Sequence, residues 1–231
     1  QSEDPLIRES FLQAAPFIGR KNELKILEHA RAEAMAGRGS FWLIGGASGV
    51  GKTRLIEEVR IQALVKGLRV VTAQARESDT SALQMWREPL RTFALWTSFS
   101  DGELSLLKDI APDLDGLCGR TVLPADALDG EVQKRRLMSL ILEILQRLNQ
   151  PLVLLLEDLH WLGVSAILLE QVCRQVPELP ILVIGTYRTD EASEFSALVP
   201  KVHHLTLEPF SPAEIHQLCP VMLGDNGYLP H

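Results

Sequence analysis

The sequence predicts an α/β fold in three layers, with helices on both faces of a parallel sheet of roughly five strands. Short apolar runs alternate along the chain with longer segments that carry apolar residues every three or four positions. The runs at 152–156 and 181–184 are apolar throughout, which is typical of strands buried on both faces of a parallel sheet. The predicted strands are 41–44, 69–73, 152–156, 181–184 and 202–207.

Helical spacing fills most of the chain between these strands. Residues 80–149 are predicted to form a mostly helical insertion, apart from a loop-like segment rich in Gly, Pro and Asp at 113–130. A capping pattern at Ser211 begins a last helix. The predicted helices are 22–36, 52–66, 104–110, 132–148, 165–176 and 211–218, with a further helical stripe at 83–94.

These elements divide the chain into three parts. Residues 1–16 are polar and interrupted by proline, and we predict an arm or linker. Residues 17–210 are predicted to form the core domain, and 211–231 to begin a helical lid that is truncated. Because the chain starts at Gln1 and stops just after a helical pattern, we expect it to be a piece of a longer protein.

Composition excludes several classes of protein. The 231 residues include 23 basic and 30 acidic side chains, a formal net charge of −7, so no direct nucleic-acid contact is expected. The longest apolar run, 152–156, is too short to cross a bilayer, and no membrane partner is expected. The three cysteines are far apart and predict reduced thiols in a cytoplasmic protein: Cys118, Cys173 and Cys219.

A glycine-rich segment after the first strand carries the strongest chemical signal. Residues 46–53, with sequence GASGVGKT, fit the pattern GxxxxGK[ST] between a predicted strand and a predicted helix. Glycines let backbone N–H groups cradle phosphate oxygens, and the following helix points its positive end at the same anion. In such a P-loop, Lys52 would contact the β- and γ-phosphates and Thr53 would bind Mg²⁺. The sequence therefore predicts a site for ATP or ADP with Mg²⁺, formed by Gly46, Ala47, Ser48, Gly49, Val50, Gly51, Lys52, Thr53 and the adjoining Arg54.

Polar residues also follow the third and fourth strands. Glu157 and Asp158 end the third, where one carboxylate could hold Mg²⁺ and the other polarise a water molecule; two solvated acids are the alternative. Arg188 follows the fourth, where it could contact the γ-phosphate or, alternatively, pair with Asp190 or Glu191 at the surface. Ligands of such sheets lie beyond the carboxyl ends of the strands, which favours the functional interpretation.

Four motifs, in order over roughly residues 16–220, resemble the STAND class of AAA-like ATPases. The stretch 17–20 (FIGR) resembles the "F-V-G-R" motif of that class, and 155–161 (LLEDLHW) resembles its Walker B stretch. The stretch 183–188 (VIGTYR) resembles its "G-T-Y-R" sensor strand. The stretch 205–211 (LTLEPFS) resembles its passage into the helical lid.

The resemblance implies roles that the residues alone do not. Ile18 and Arg20 would border the adenine, Glu157 would bind magnesium, Asp158 would polarise water, and Arg188 would read the γ-phosphate. Such modules are usually switches within large multidomain regulators, which implies slow hydrolysis, partner domains on the same chain and nucleotide-dependent self-association. Two positions depart from the pattern: Glu157 stands where Asp is usual, and Gly163 where an acid is common.

Two other functions stay open at this point. An ATPase motor or initiator-type loader acting on DNA would share the P-loop, although the net charge disfavours it. A P-loop kinase would also share it, but the sequence offers no obvious acceptor pocket and the kinase interpretation does not explain the stretch 17–20.

Overall fold

All five predicted strands form. The structure is a computed structural model that describes residues 17, 19–78, 82–126, 130–148, 150–191, 202–212 and 215. The fourth strand extends beyond its predicted end at 184, because Gly185 to Arg188 continue to pair with the first strand. The strands are β1 Ser40–Gly46, β2 Arg69–Gln74, β3 Leu152–Glu157, β4 Ile181–Arg188 and β5 His203–Thr206.

The sheet is parallel throughout, in the order β2-β3-β4-β1-β5. In this order β4 lies between β3 and β1. Its last residue, Arg188, pairs in register with Gly46 at the end of β1, and its Gly185 pairs with Leu156 of β3. The carboxyl ends of β1, β3 and β4 therefore meet at one edge, as the sequence predicted.

The helices agree with the sequence except in the insertion and after β3. A short helix forms at 114–117 within the segment predicted to be a loop, because Leu114 is fully buried and Asp115 is bound by Lys108 and by the backbone N–H of Val122. The α-helices are α1 Lys21–Met35, α2 Lys52–Val65, α3 Arg87–Phe93, α4 Asp101–Leu107, α5 Leu114–Leu117, α6 Gly130–Leu148 and α7 Ile167–Gln175; 3-10 turns occupy Ala82–Trp86, Leu159–Ala166 and Val176–Glu178.

Each face of the sheet is covered by its own apolar core. Alternate residues of β3 point to opposite faces: Leu154 packs with the insertion, and Val153 packs with α1 and α2. On the insertion side, Trp86 and Phe93 are fully buried. This arrangement explains why β3 and most of β4 are apolar without alternation, and it makes the insertion one of the three layers.

Parts of the predicted organisation lie outside the described residues. These parts are the arm at 1–16, Ile18 and most of 211–231. In the last predicted helix, the N–H of Ile215 donates to the carbonyl of Ser211 at 2.9 Å, the spacing of a helical turn. The domain boundaries stay a prediction. Within the described segments, no helix combines the length and apolar character needed to span a membrane.

Candidate nucleotide-binding site

The P-loop is shaped by the backbone. It leaves β1 at Gly46 and enters α2 at Lys52, and within it Gly49 and Gly51 have φ values of 77° and 100°. This left-handed region is costly for residues with a Cβ, so both turns require glycine. No side chain in the described residues caps the start of α2, and an uncapped helix start is a place where an anion can bind.

Close packing also requires glycine where β1 ends. A Cβ on Gly46 would lie 2.8 Å from Val50 Cγ1 and 2.9 Å from the carbonyl oxygen of Leu207. A Cβ on Gly45 would lie 2.6 Å from the hydroxyl of Tyr187. The loop therefore lies directly against the chain that leaves β5, and glycine permits that approach.

Lys52 folds back over the loop that precedes it. Its ammonium donates to the carbonyl oxygens of Gly46 at 2.7 Å and Ala47 at 2.8 Å. Burial lowers the pKa of Lys52, and the charge of Arg188 lowers it further. Thr53, the next residue, is exposed at the first turn of α2. Lys52 and Thr53 are thus the first two residues of α2, and the ammonium of Lys52 turns back to the start of the loop.

The two acids at the end of β3 have different surroundings. Burial raises the pKa of Glu157, and the neighbouring charges of Asp158 and Glu57 raise it further. Asp158 has a φ of 58°, which Asp tolerates better than most residues. A cation such as Mg²⁺ beside Glu157 would favour its ionised form.

Two neighbours that the sequence did not single out orient Asp158. The amide of Gln74, at the end of β2, donates to Asp158 Oδ2 at 2.9 Å. The backbone N–H of Asp158 donates to the hydroxyl of Thr186 on β4 at 3.2 Å, and Thr186 is buried. Both residues lie near the carboxyl ends of the strands beside β3. That position was the available signal, but it identifies them only once the strand order is known.

Arg188 is held by an acid that follows β4. Its guanidinium donates to Glu191 Oε1 at 2.5 Å, and this bond raises the pKa of Arg188. The pairing with Glu191 that the sequence left open is therefore present, while contact with a phosphate stays a prediction. The other oxygen of Glu191 lies 3.2 Å from His160 Nε2. Next to Glu191, Asp190 Oδ2 accepts a 3.4 Å bond from the backbone N–H of Ser48 in the P-loop.

Arg20 links the P-loop to the chain beyond β5. It is buried, and its guanidinium donates to the carbonyl oxygens of Val50, at 3.3 Å, and Glu208. It also lies 4.3 Å from the centre of the Phe210 ring. The role at the adenine that the resemblance implies for Arg20 stays a prediction.

Arg54 lies in the first turn of α2. Its guanidinium is 5.4 Å from the centre of the Phe17 ring and 3.6 Å from Glu58. Its place in the binding segment also stays a prediction.

The sheet order, the glycine loop at β1 and the acids at β3 together define a P-loop NTPase. The residues fit a magnesium nucleotide, because a glycine cradle, a lysine, a hydroxyl and a carboxylate lie along one edge. A model of the family described as "AAA ATPase domain" matches residues 16–184, and the chain belongs to that family. The family implies nucleotide binding, usually with Mg²⁺.

Known proteins and structures are similar to this chain at low identity. An uncharacterized protein of Rhizobium meliloti (strain 1021) is 26% identical over 200 residues, covering 78% of this chain and 19% of the relative. The structure of Drosophila ORC bound to DNA has a TM-score of 0.54 at 15% identity, covering 97% of this chain and 53% of that one. The structure of Rhizobiales Trip13 has a TM-score of 0.49 at 14% identity, covering 97% and 74%.

At 15% identity, the likeness to the ORC structure shows the fold alone. The chain spans about a fifth of the length of the Rhizobium relative. The activity and partners of a whole protein that contains this domain are therefore matters for proposal.

Proposed function

We propose that this domain binds ATP or ADP with Mg²⁺ and serves as a slowly hydrolysing nucleotide switch, of the STAND type, within a larger signalling or regulatory protein. One observation carries the proposal. The P-loop, the acids at the end of β3 and an arginine at the end of β4 meet at one edge of the sheet. A triphosphate bound there would contact all three.

The phosphates would lie in the cradle formed by residues 46–53, with Arg54 beside it. Lys52 would neutralise the β- and γ-phosphates, and Thr53 and Glu157 would hold the magnesium ion. The bound magnesium nucleotide supplies the phosphate bond that is broken. Glu157 has a longer side chain than the usual Asp and would reach the metal through water.

Asp158 would orient and polarise the attacking water. Gln74 donates to Oδ2, which would leave Oδ1 to accept a hydrogen bond from water, as a water-orienting base requires. Slow turnover suits a switch, because the state with ATP must persist long enough to be sensed.

Arg188 would distinguish the two nucleotides. A guanidinium at the end of β4 can donate to γ-phosphate oxygens, which ADP lacks. A ligand shifts a two-state protein only by its difference in affinity for the two states, so this preference is what a switch needs. By resemblance, Ile18 and Arg20 would contact the adenine.

The two rival functions predict different behaviour in solution. A motor or loader acting on DNA would hydrolyse ATP continuously, and faster when DNA is added. A kinase would transfer phosphate to a third molecule. The switch predicts slow phosphate release that DNA does not change, with other domains of the chain and self-association as the means of output.

The first test is nucleotide-dependent stability. Binding to the native state alone raises stability by about 2.7 kcal/mol when the ligand concentration is a hundred times Kd. Mg-ATP and Mg-ADP should each raise the melting temperature of the parent domain, and Lys52→Ala should lose most of that rise. Lys66→Ala is the matched control, because Lys66 is exposed at the other end of the same helix. No shift in the parent at millimolar nucleotide would contradict the proposal.

A further inference from the structure

Two acids directly after β4 contact donors that a nucleotide would also use. Glu191 accepts a 2.5 Å bond from Arg188, and the neighbouring Asp190 accepts a 3.4 Å bond from the backbone N–H of Ser48 in the P-loop. A carboxylate and a phosphate oxygen are acceptors of the same kind for guanidinium and backbone N–H groups. Each acid is therefore placed to compete with one part of the nucleotide.

We propose that Glu191 is a specificity-determining residue, which sets the preference for ATP over ADP by competing with the γ-phosphate for Arg188. The inference rests on the proposed function, because it assumes that Arg188 reads the γ-phosphate. Glu191 then sets how much affinity for ATP the contact between Arg188 and the γ-phosphate contributes.

The second oxygen of Glu191 lies beside a buried histidine. It lies 3.2 Å from Nε2 of His160, whose side chain is 2% exposed. Neither ring nitrogen of His160 has a well-aligned hydrogen bond to the residues that the structure describes. The imidazole thus faces Glu191 from the turn that follows Asp158.

The neighbouring acid offers an internal comparison. Ser48 belongs to the cradle that would hold the phosphates common to ATP and ADP, so any competition from Asp190 affects both nucleotides alike. Glu191 contacts a guanidinium that would serve the γ-phosphate, so its competition affects ATP alone. The two acids are adjacent in sequence but would differ in which nucleotide they disfavour.

The side chains of Arg188 and Glu191 are 36% and 37% exposed. Solvent weakens such a pair, so the effect of removing it is modest. Glu191→Gln keeps the shape and removes the charge, and it should raise ATP affinity about two- to tenfold. The affinity for ADP should stay the same.

Calorimetric titration of Mg-ATP and Mg-ADP tests this inference in four proteins: the parent domain, Glu191→Gln, Arg188→Ala and the double variant. We expect Glu191→Gln to gain affinity for ATP alone, and we expect no gain from it in the Arg188→Ala background. Glu170→Gln is the control, because Glu170 forms a 2.5 Å pair with Arg174 on α7, outside the site. It should match the parent for both nucleotides.

Three results would overturn the inference. They are an equal gain for ATP and ADP, an unchanged or lower ATP affinity in Glu191→Gln, or the same gain with Arg188 absent. If the parent binds both nucleotides while Glu191→Gln behaves like the parent, the inference fails and the proposed function stands. If the parent binds neither nucleotide, both fail.

Discussion

The two phosphate-facing parts of this site, the P-loop and the end of β4, are adjacent but are built in different ways. The P-loop is a backbone structure: Gly49 and Gly51 adopt left-handed turns, and Gly46 lies against the chain beyond β5. The end of β4 depends on side chains, because Arg188 is held by Glu191.

Because the two parts differ in this way, they differ in which binding properties can be adjusted. The turn fixes the directions of the backbone N–H groups, so the cradle that they form is the same for ATP and for ADP. An ion pair at a partly exposed position can exchange one acceptor for another at a small cost in free energy. We infer that the P-loop provides affinity for any nucleotide, and that the end of β4 provides the preference between nucleotides.

The largest expected effect is on the rate of ATP hydrolysis and comes from a change at the end of β3. This change should leave nucleotide binding by the P-loop and by the end of β4 intact. Asp158→Asn should lower the rate of ATP hydrolysis about 10²–10⁴-fold, because an amide cannot accept the proton of the attacking water. Binding should be unchanged, since Asn also tolerates the φ of 58° and its oxygen can still accept from Gln74. Phosphate release and calorimetry on the same samples check this. An unchanged hydrolysis rate would remove Asp158 from the mechanism.

A smaller effect, on stability and on nucleotide affinity, is expected from a substitution that displaces the backbone of the P-loop. Gly46→Ala places a methyl group 2.9 Å from the carbonyl of Leu207, and it should lower the free energy of unfolding by about 1–3 kcal/mol. It should weaken ATP and ADP binding equally, because the cradle serves both. Urea unfolding and calorimetry measure the two effects.

The control for this variant lies in the insertion. Gly102 is in α4, and a methyl group there would meet nothing within 4 Å among the described residues. Gly102→Ala should raise stability by up to about 1 kcal/mol. If Gly46→Ala lost binding to only one of the two nucleotides, the result would contradict the inference that the P-loop provides affinity for any nucleotide.

Much of the fold and the P-loop could be predicted from sequence, because both depend on local patterns. The apolar runs identified every strand of the sheet, and the glycine pattern placed the loop between β1 and α2. The acids at the end of β3 were identified because ligands of parallel sheets lie beyond the carboxyl ends of the strands, although the roles of these acids stay a prediction.

The contacts made by side chains between strands could not be predicted. The bonds of Asp158 to Gln74 and Thr186 require the order β2-β3-β4, which a single sequence does not give. The pairing of Arg188 was open to Asp190 or Glu191, and only the course of the chain after β4 decides between them. Helix α5 was missed because burial of Leu114, rather than helical periodicity, stabilises it.

The preference of Arg188 for the triphosphate decides whether the end of β4 distinguishes ATP from ADP. Titration of Mg-ATP and Mg-ADP against the parent domain and Arg188→Ala measures that preference, with Arg174→Ala on α7 as the control. A charge-assisted bond contributes about 1.5–3 kcal/mol, so the variant should lose about ten- to a hundredfold in ATP affinity and keep its ADP affinity. An equal loss for both nucleotides, or no loss for either, would contradict the account of β4 as the part of the site that distinguishes ATP from ADP.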